Sequence, residues 1–302
     1  MPGVRALGAG TERPRAIAVG IGGAGCNTLR AISPTAGLDL LAINDLPHPS
    51  MLGIRRRVFL ARAGLSEIAR MDEHAVRTLA TTAEQALALE LGDADFVIPF
   101  AGLGGDMGSW GSSLVARVGA LKGATTLAVV TTPFSAEGPS RRAVASEALR
   151  LLRRHAHGAL VLPNDRLLQV APHVPFLKAF ELTSRLSSQF VHDLLRVVTR
   201  DDLPVLKSVL RGAEDWRSGV GQGNRHHPER TAVERAFASP WIARPSESAR
   251  EVILFLGIPE PDEKASQEIL YEVNLRTPRA SVLWGAFATQ PEEFRVTLLL
   301  GF

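Results

Sequence analysis

Cysteine is nearly absent from this chain: its 302 residues contain one, Cys26. A single thiol rules out an internal disulfide framework and fits a reducing, cytoplasmic compartment. Long apolar runs are missing as well. No stretch reaches the roughly 18 residues that a membrane-spanning helix requires, so direct membrane insertion is not expected. Residues 1–14 contain Gly, Pro and Arg but no apolar centre of a signal peptide, and read as a flexible leader. Charge of one sign is not in excess either. The formal net charge is +3, with arginines spread along the chain, which leaves no focused footprint for nucleic acid. No internal repeat is visible. What remains, 45% hydrophobic and 22% charged residues, is enough for two domains with a core each.

The first half alternates strand and helix patterns. Ala16–Gly20 is a short apolar run that breaks into glycines, followed by a helical stretch to about Ile32. Leu38–Ile43, Arg57–Ala61, Phe96–Phe100, Thr126–Thr131 and Ala159–Leu162 read as further buried strands. Asp72–Leu91 carries Val76, Leu79, Ala83, Ala86 and Leu87 at helical period, and helices are expected over Ser112–Leu121 and Arg141–His155. This alternation predicts a parallel sheet covered on both faces, with ligands at the carboxyl ends of its strands. After Pro175, an amphipathic stretch to Thr199 with Phe176, Phe180, Leu186, Phe190, Leu194 and Leu195 predicts one long connecting helix. A polar, Gly-rich segment, Ser218–Pro228, follows with no strand or helix assigned to it. Strand Glu251–Gly257, helix Asp262–Val273 and strands Ala280–Phe287 and Phe294–Leu300 then form a smaller α+β domain.

Chemistry enters at Gly20-Ile21-Gly22-Gly23-Ala24-Gly25-Cys26-Asn27, between a strand and a helix. Glycines let backbone approach a phosphate, and the helix start supplies free N–H groups and a positive dipole end. Gly20, Gly22 and Gly25 also spell the G-x-G-x-x-G dinucleotide fingerprint, and Asp45 follows where a ribose-binding acid belongs. A nicotinamide-dependent dehydrogenase therefore competes at this point, as does a tight turn with no ligand.

A second glycine loop separates the readings. Ala101-Gly102-Leu103-Gly104-Gly105-Asp106-Met107-Gly108-Ser109-Trp110-Gly111 follows the strand at Phe96–Phe100 and again opens a helix. Two such loops on adjacent strand ends can enclose a triphosphate from both sides. Here the chain resembles the FtsZ/tubulin family, whose signature is written G-G-G-T-G-[ST]-G. Thr132-Pro133-Phe134-Ser135-Ala136-Glu137-Gly138 with Arg141 resembles the family's ribose-contacting turn. Val161–Leu168 resembles the segment leading into its central helix, and Ala179-Phe180, Gly219-Val220-Gly221 and Ala236–Pro240 continue the match. The likeness runs from about residue 14 to the last strand.

The resemblance implies a tubulin/FtsZ fold: a flexible leader at 1–14, a Rossmann-like, GTPase-type nucleotide-binding domain at 15–174, a central helix at 175–200 and a C-terminal α+β domain at 201–302. It implies GTP or GDP as ligand, held by Gly22, Gly23, Ala24, Gly25 and Asn27 in the first loop. Asn44 lies near phosphates and magnesium, Gly104, Gly105, Asp106, Met107, Gly108 and Ser109 form the second loop, and Glu137 and Arg141 contact the ribose. It also implies self-association head to tail, or association with another FtsZ-like protein, in cell-division or cell-shape organisation.

Departures from the pattern weaken these expectations. Asp106 stands for the third signature glycine and Met107 for the following threonine. A carboxylate against a polyphosphate costs about 4 kcal/mol per charge pair at 4 Å and an effective dielectric near 20. Met107 removes a hydroxyl donor, while Asp106 offers a possible magnesium site that would turn repulsion into bridging. Trp110 adds bulk at the mouth of the helix, and only Gly64 remains where the γ-phosphate-sensing run belongs, near Ala61–Met71. The guanine-recognising Asn/Asp pair is replaced by Ser184 and Arg185, and Arg carries only donors. In the catalytic loop that the family inserts into the next subunit, Asp202 fits the first acid. Arg200 and Val205 replace the Asn and the second acid, with Asp201 as a substitute only if the register shifts. Removing a positioned base costs 10²–10⁴ in rate, so weak or absent GTP hydrolysis is expected. The alternative is an active GTPase using Asp106 with magnesium and Asp201 or Asp202 at the subunit interface. The disordered linker and anchor-recruiting peptide of FtsZ have no counterpart in these residues.

The remaining chemical candidates are plain. His155 and His157, two apart, and the pair His226-His227 make weak metal sites, and Cys26 reads as a small buried residue rather than a reactive thiol.

Overall fold

The computed structural model describes residues 3–33, 35–71, 82–170, 176–224, 226–260 and 263–302. They form two compact units, Pro14–Ser188 and Met1–Arg13 with Gln189–Phe302. Strand β1, Val4–Ala6, belongs to the second.

The Pro14–Ser188 unit is a doubly covered parallel sheet. Its strands are β2 (Ala16–Ile21), β3 (Leu38–Asn44), β4 (Arg56–Phe59), β5 (Phe96–Gly102), β6 (Thr125–Thr132) and β7 (Gly158–Pro163). Their order is β7-β6-β5-β2-β3-β4, and every adjacent pair is parallel. All six residues of β2 are buried, as a central strand covered on both faces requires. The helices are α1 (Gly22–Arg30), α2 (Leu65–Arg70), α3 (Thr82–Leu91), α4 (Ser112–Leu121), α5 (Pro139–His155) and α6 (Asp165–Val170). α5 starts at Pro139 after Gly138 in the positive-φ region and ends in Arg153, Arg154 and His155. That order suits both the helix start and the dipole. The predicted helix over Asp72–Leu91 is seen from Thr82; residues 72–81 lie outside the described residues.

The long amphipathic helix is α7, Phe176–Val197, as its spacing predicts; residues 171–175 lie outside the described residues. The boundary between the two units falls within it.

The second unit contains α8 (Leu203–Arg211), β8 (Trp216–Gln222), α9 (Pro228–Phe237), β9 (Glu251–Ile258), α10 (Glu263–Arg276), β10 (Ser281–Ala288) and β11 (Arg295–Gly301). Its strands run in the order β1-β10-β9-β11-β8. β10 is parallel to β9 and β1, whereas β11 is antiparallel to both β9 and β8. Two expectations are corrected here. The leader was expected to be flexible, yet Val4–Ala6 pairs with Val282–Trp284, and the Leu7 N–H continues the ladder to the Trp284 carbonyl. The unassigned Gly-rich segment contains most of strand β8. Its glycines admit a helix: a Cβ on Gly219 or on Gly221 would stand 1.9 Å from the Ala236 or the Ala232 carbonyl oxygen of α9. Each unit has its own apolar core, one centred on β2, β5 and α4, the other on β9, β11 and α9.

Candidate functional site

Both glycine loops sit at the carboxyl ends of central strands in the Pro14–Ser188 unit. α1 opens directly after β2, with Gly22 at φ 68° and no side-chain cap from Ile21. The helix is pressed onto β5, since a Cβ on Gly25 would stand 2.0 Å from the Phe100 carbonyl oxygen. After β5, Gly104 takes φ 102° and a π-helical turn, Met107–Gly111, leads into α4. Such turns recur at functional sites. The loops abut: a Cβ on Gly22 would lie 3.4 Å from the Gly108 nitrogen and 3.7 Å from the Met107 Cβ. Neither helix start has a side-chain cap, so backbone N–H groups of Gly22–Gly25 and of Gly105–Gly108 form two adjoining donor sets suited to an anion. Gly105 faces open space, with nothing within 4 Å of where a Cβ would be. A polyphosphate fits this cradle.

The departures take positions that the motif alone does not give. Asp106 is exposed at the mouth of the turn. Met107 and Trp110, by contrast, are both buried in the core with Leu65, Ala69 and Leu114. Trp110 was expected to crowd the mouth; instead it lies under the loop, with the Arg70 guanidinium 4.6 Å from its ring. Ser109 is buried too, and its Oγ accepts from the Gly104 N–H at 2.9 Å, closing the loop on itself. Asn44 ends β3 as a buried residue at the same end of the sheet as Gly22. Among the described residues, no group of three His, Cys, Asp or Glu could hold a metal ion. Magnesium at Asp106 would need its other ligands from phosphate oxygens and water.

Glu137 and Arg141 pair with each other at 2.6 Å, and Glu137 Oε1 accepts from the Phe134 N–H at 2.8 Å. Their turn meets the second loop, for the Arg141 carbonyl oxygen lies 3.1 Å from where a Cβ on Gly104 would be. Asp165 holds the turn from below by accepting from the Ser135 N–H and hydroxyl, at 2.9 and 2.5 Å. The Ser135 hydroxyl, with its N–H, keeps the Asp165 carboxyl below the usual carboxylate range.

Beside the loops, a cleft of about 710 Å³ runs between α1, the ends of β5 and β6, and the first turns of α7. Ala24, Asn27 and Thr28 line it from α1; Phe180, Glu181, Ser184 and Arg185 line it from α7. Thr28 and Ser184 share a hydrogen bond at 3.3 Å. Phe180 meets Phe134 edge to face, with centroids 5.6 Å apart. Glu181 was not among the expected site residues, although its spacing four before Arg185 puts both on one helix face.

A model of the Tubulin/FtsZ family GTPase domain matches residues 36–172. Cell division protein FtsZ 1 of Archaeoglobus fulgidus is 29% identical over 283 residues, covering 89% of this chain and 76% of that protein. The FtsZ of M. jannaschii, solved as an empty dimer, aligns with a TM-score of 0.80 at 26% identity, over 97% of this chain and 89% of its own. These matches support an FtsZ/tubulin superfamily member. A CetZ from Methanosaeta thermophila shares the fold at TM-score 0.75 and 18% identity, over 96% of this chain and 86% of that one.

These likenesses weigh against the dehydrogenase reading. Asp45, its proposed ribose acid, is paired with Arg62 at 2.5 Å. In this FtsZ-like chain the acids of the expected catalytic loop lie in the second unit, on a 3-10 turn at Arg200–Asp202. Asp202 is buried there and hydrogen-bonded through one carboxylate oxygen. Its Oδ2 accepts from the Thr199 hydroxyl at 2.7 Å, the Thr199 N–H at 2.8 Å and the Gly8 N–H at 3.0 Å. Asp201 is exposed on the same turn. Cys26 is buried, its Sγ donates to the Gly20 carbonyl at 3.2 Å, and burial pushes its pKa up to about 11, so the helix start does not activate it. His157 is also internal, joined to the Thr126 hydroxyl and N–H at 2.8 and 3.0 Å. His226 and His227 are exposed in a turn where their N–H groups donate to Asn224 Oδ1.

Proposed function

We propose that this chain is a self-assembling FtsZ/tubulin-type protein of the cytoplasm that organises cell division or cell shape. It binds guanine nucleotide weakly and hydrolyses it slowly or not at all. Head-to-tail association with itself, or with another FtsZ-like protein, is the expected mode, supported by the dimer described for the M. jannaschii FtsZ. Neither nucleic acid nor direct membrane insertion is part of the reading. Among the described residues, no helix is long and apolar enough to cross a membrane.

Asp202 carries the hydrolysis part. A carboxylate whose Oδ2 already accepts three hydrogen bonds within its own subunit is a poor candidate to orient a water at the next one. Its neighbours Arg200 and Val205 supply no second acceptor. Weakened binding is supported by Asp106, which brings an exposed carboxylate to the turn that carries the donor cradle, and by the buried Met107, whose side chain offers no donor. The exposure of Asp201 supports a second reading, an active divergent GTPase in which Asp201 orients the water and Asp106 bridges magnesium to phosphate.

Phosphate release from GTP with magnesium, measured at rising protein concentration, separates the two. The first reading expects a low rate per molecule that stays flat with concentration and is indifferent to Asp201→Asn. A rate per molecule that climbs with concentration and collapses in Asp201→Asn would establish the second.

A further inference from the structure

Among the described residues that line the cleft beside the glycine loops, Glu181 is the one carboxylate. Arg185 stands one helical turn further along α7 and lines the same cleft. Both are exposed at its rim, whereas Ser184 between them is turned to Thr28 at 3.3 Å. A hydroxyl pair donates or accepts equally well and reads no base. The charged pair is different. An ionised carboxylate only accepts and a guanidinium only donates, and residues four apart on a helix are neighbours.

We propose that Glu181 and Arg185 together read the base edge in this cleft and keep it a guanine site. This rests on the reading that the cleft takes a nucleotide whose phosphates occupy the glycine cradle. Guanine presents two adjacent donors, N1–H and the exocyclic amino group, followed by the O6 acceptor. Glu181 accepts from the two donors and Arg185 donates to O6. Adenine reverses the pattern, setting its N1 acceptor against the carboxylate and its amino group against the guanidinium. Hypoxanthine keeps N1–H and O6 but lacks the amino group, so it isolates one hydrogen bond to Glu181. Hydrogen bonds to a charged group are the stronger class, and loss of one in a partly exposed cleft corresponds to roughly a tenfold weakening.

The test is equilibrium binding of GTP, inosine triphosphate and ATP to the full chain and to Glu181→Gln and Arg185→Met. Both side chains are exposed, and circular dichroism checks that each variant is folded. The wild type is expected to prefer GTP to inosine triphosphate about tenfold, and to ATP by more. Glu181→Gln shrinks the first preference to within threefold, and Arg185→Met narrows the second. A Glu181→Gln variant that keeps the full GTP preference, or a wild type that binds GTP and ATP alike, overturns the base-reading pair while leaving a nucleotide site in place. No binding of any of the three triphosphates at millimolar concentration overturns the pair and the nucleotide reading together.

Discussion

Arg117, on the helix that follows the second glycine loop, is buried to 1% exposure and pairs with Glu84, itself 6% exposed, at 2.7 Å. Its Nη1 donates to the Met71 carbonyl at 2.9 Å and more weakly to Ala69 at 3.4 Å, while Nη2 donates to Ile68 at 2.7 Å. One guanidinium thus fastens the end of α2 and the adjoining Met71 onto α4. Deleting either charge leaves the other buried without its counter-ion, which costs about 3–5 kcal/mol. Glu84→Leu belongs near the lower figure, because the guanidinium keeps the Ile68 and Met71 carbonyls. Arg117→Met belongs near the upper one, because it strips those carbonyls of their donors as well, at about 1 kcal/mol or more each. The double variant removes both charges together. Its loss should fall short of the summed single losses by at least 2 kcal/mol, a coupling typical of directly paired groups. Urea unfolding followed by far-ultraviolet circular dichroism measures all three. Single losses under about 1 kcal/mol, or a strictly additive double variant, would refute the clamp. Arg70 provides an internal comparison. It forms a bidentate pair with Glu147, at 2.7 and 3.1 Å, but at an exposed position, where such pairs contribute about 1 kcal/mol or less. Glu147→Ala should therefore change stability far less than Glu84→Leu.

Two further outcomes follow from buried titratable groups. Cys26, with its pKa near 11 and its side chain enclosed, should resist a thiol reagent at pH 8 in the folded chain and react at once in urea. Rapid labelling of the folded chain would show that the first glycine loop opens. His155 is held down to about pH 4 from 6.5 by burial, reinforced by the Arg117 and Arg154 charges. A depressed histidine takes up a proton more readily when unfolded. Its contribution is therefore complete above pH 6.5 and is lost as pH falls from 6.5 towards 4. The loss is about 2–3 kcal/mol once partial solvent screening is allowed for. Unfolding free energies of wild type and His155→Leu between pH 7 and 4.5 check this, and parallel slopes would assign the acid sensitivity to other groups.

Legibility differed sharply between strands and sites. The parallel strands could be read from the chain because each is a short apolar run between turn signals, and burial on both faces removes the need for alternation. Strand β8 escaped that reading because Gly219 and Gly221 stand where α9 presses its backbone onto the sheet, so the residues that permit packing also erase the strand's signature. Val4–Ala6 escaped for another reason: three residues at a sheet edge carry no period at all. The two glycine loops were visible as motifs, but the directions of their side chains were not. Met107 and Trp110 sit on a π-helical turn, whose hydrogen bonds span one residue more than those of an α-helix, so counting at 3.6 residues per turn misplaces them. Asp202 is the instructive case. Alignment to the family made it a catalytic acid, whereas Thr199-Arg200-Asp201-Asp202 also spells a capping box, a Thr with an acid three residues on. In the structure the carboxylate accepts from the Thr199 hydroxyl and N–H, as that local pattern dictates. Arg200 and Val205 stand at the neighbouring positions, and the Thr199 hydroxyl and N–H, three residues away, hold the carboxylate.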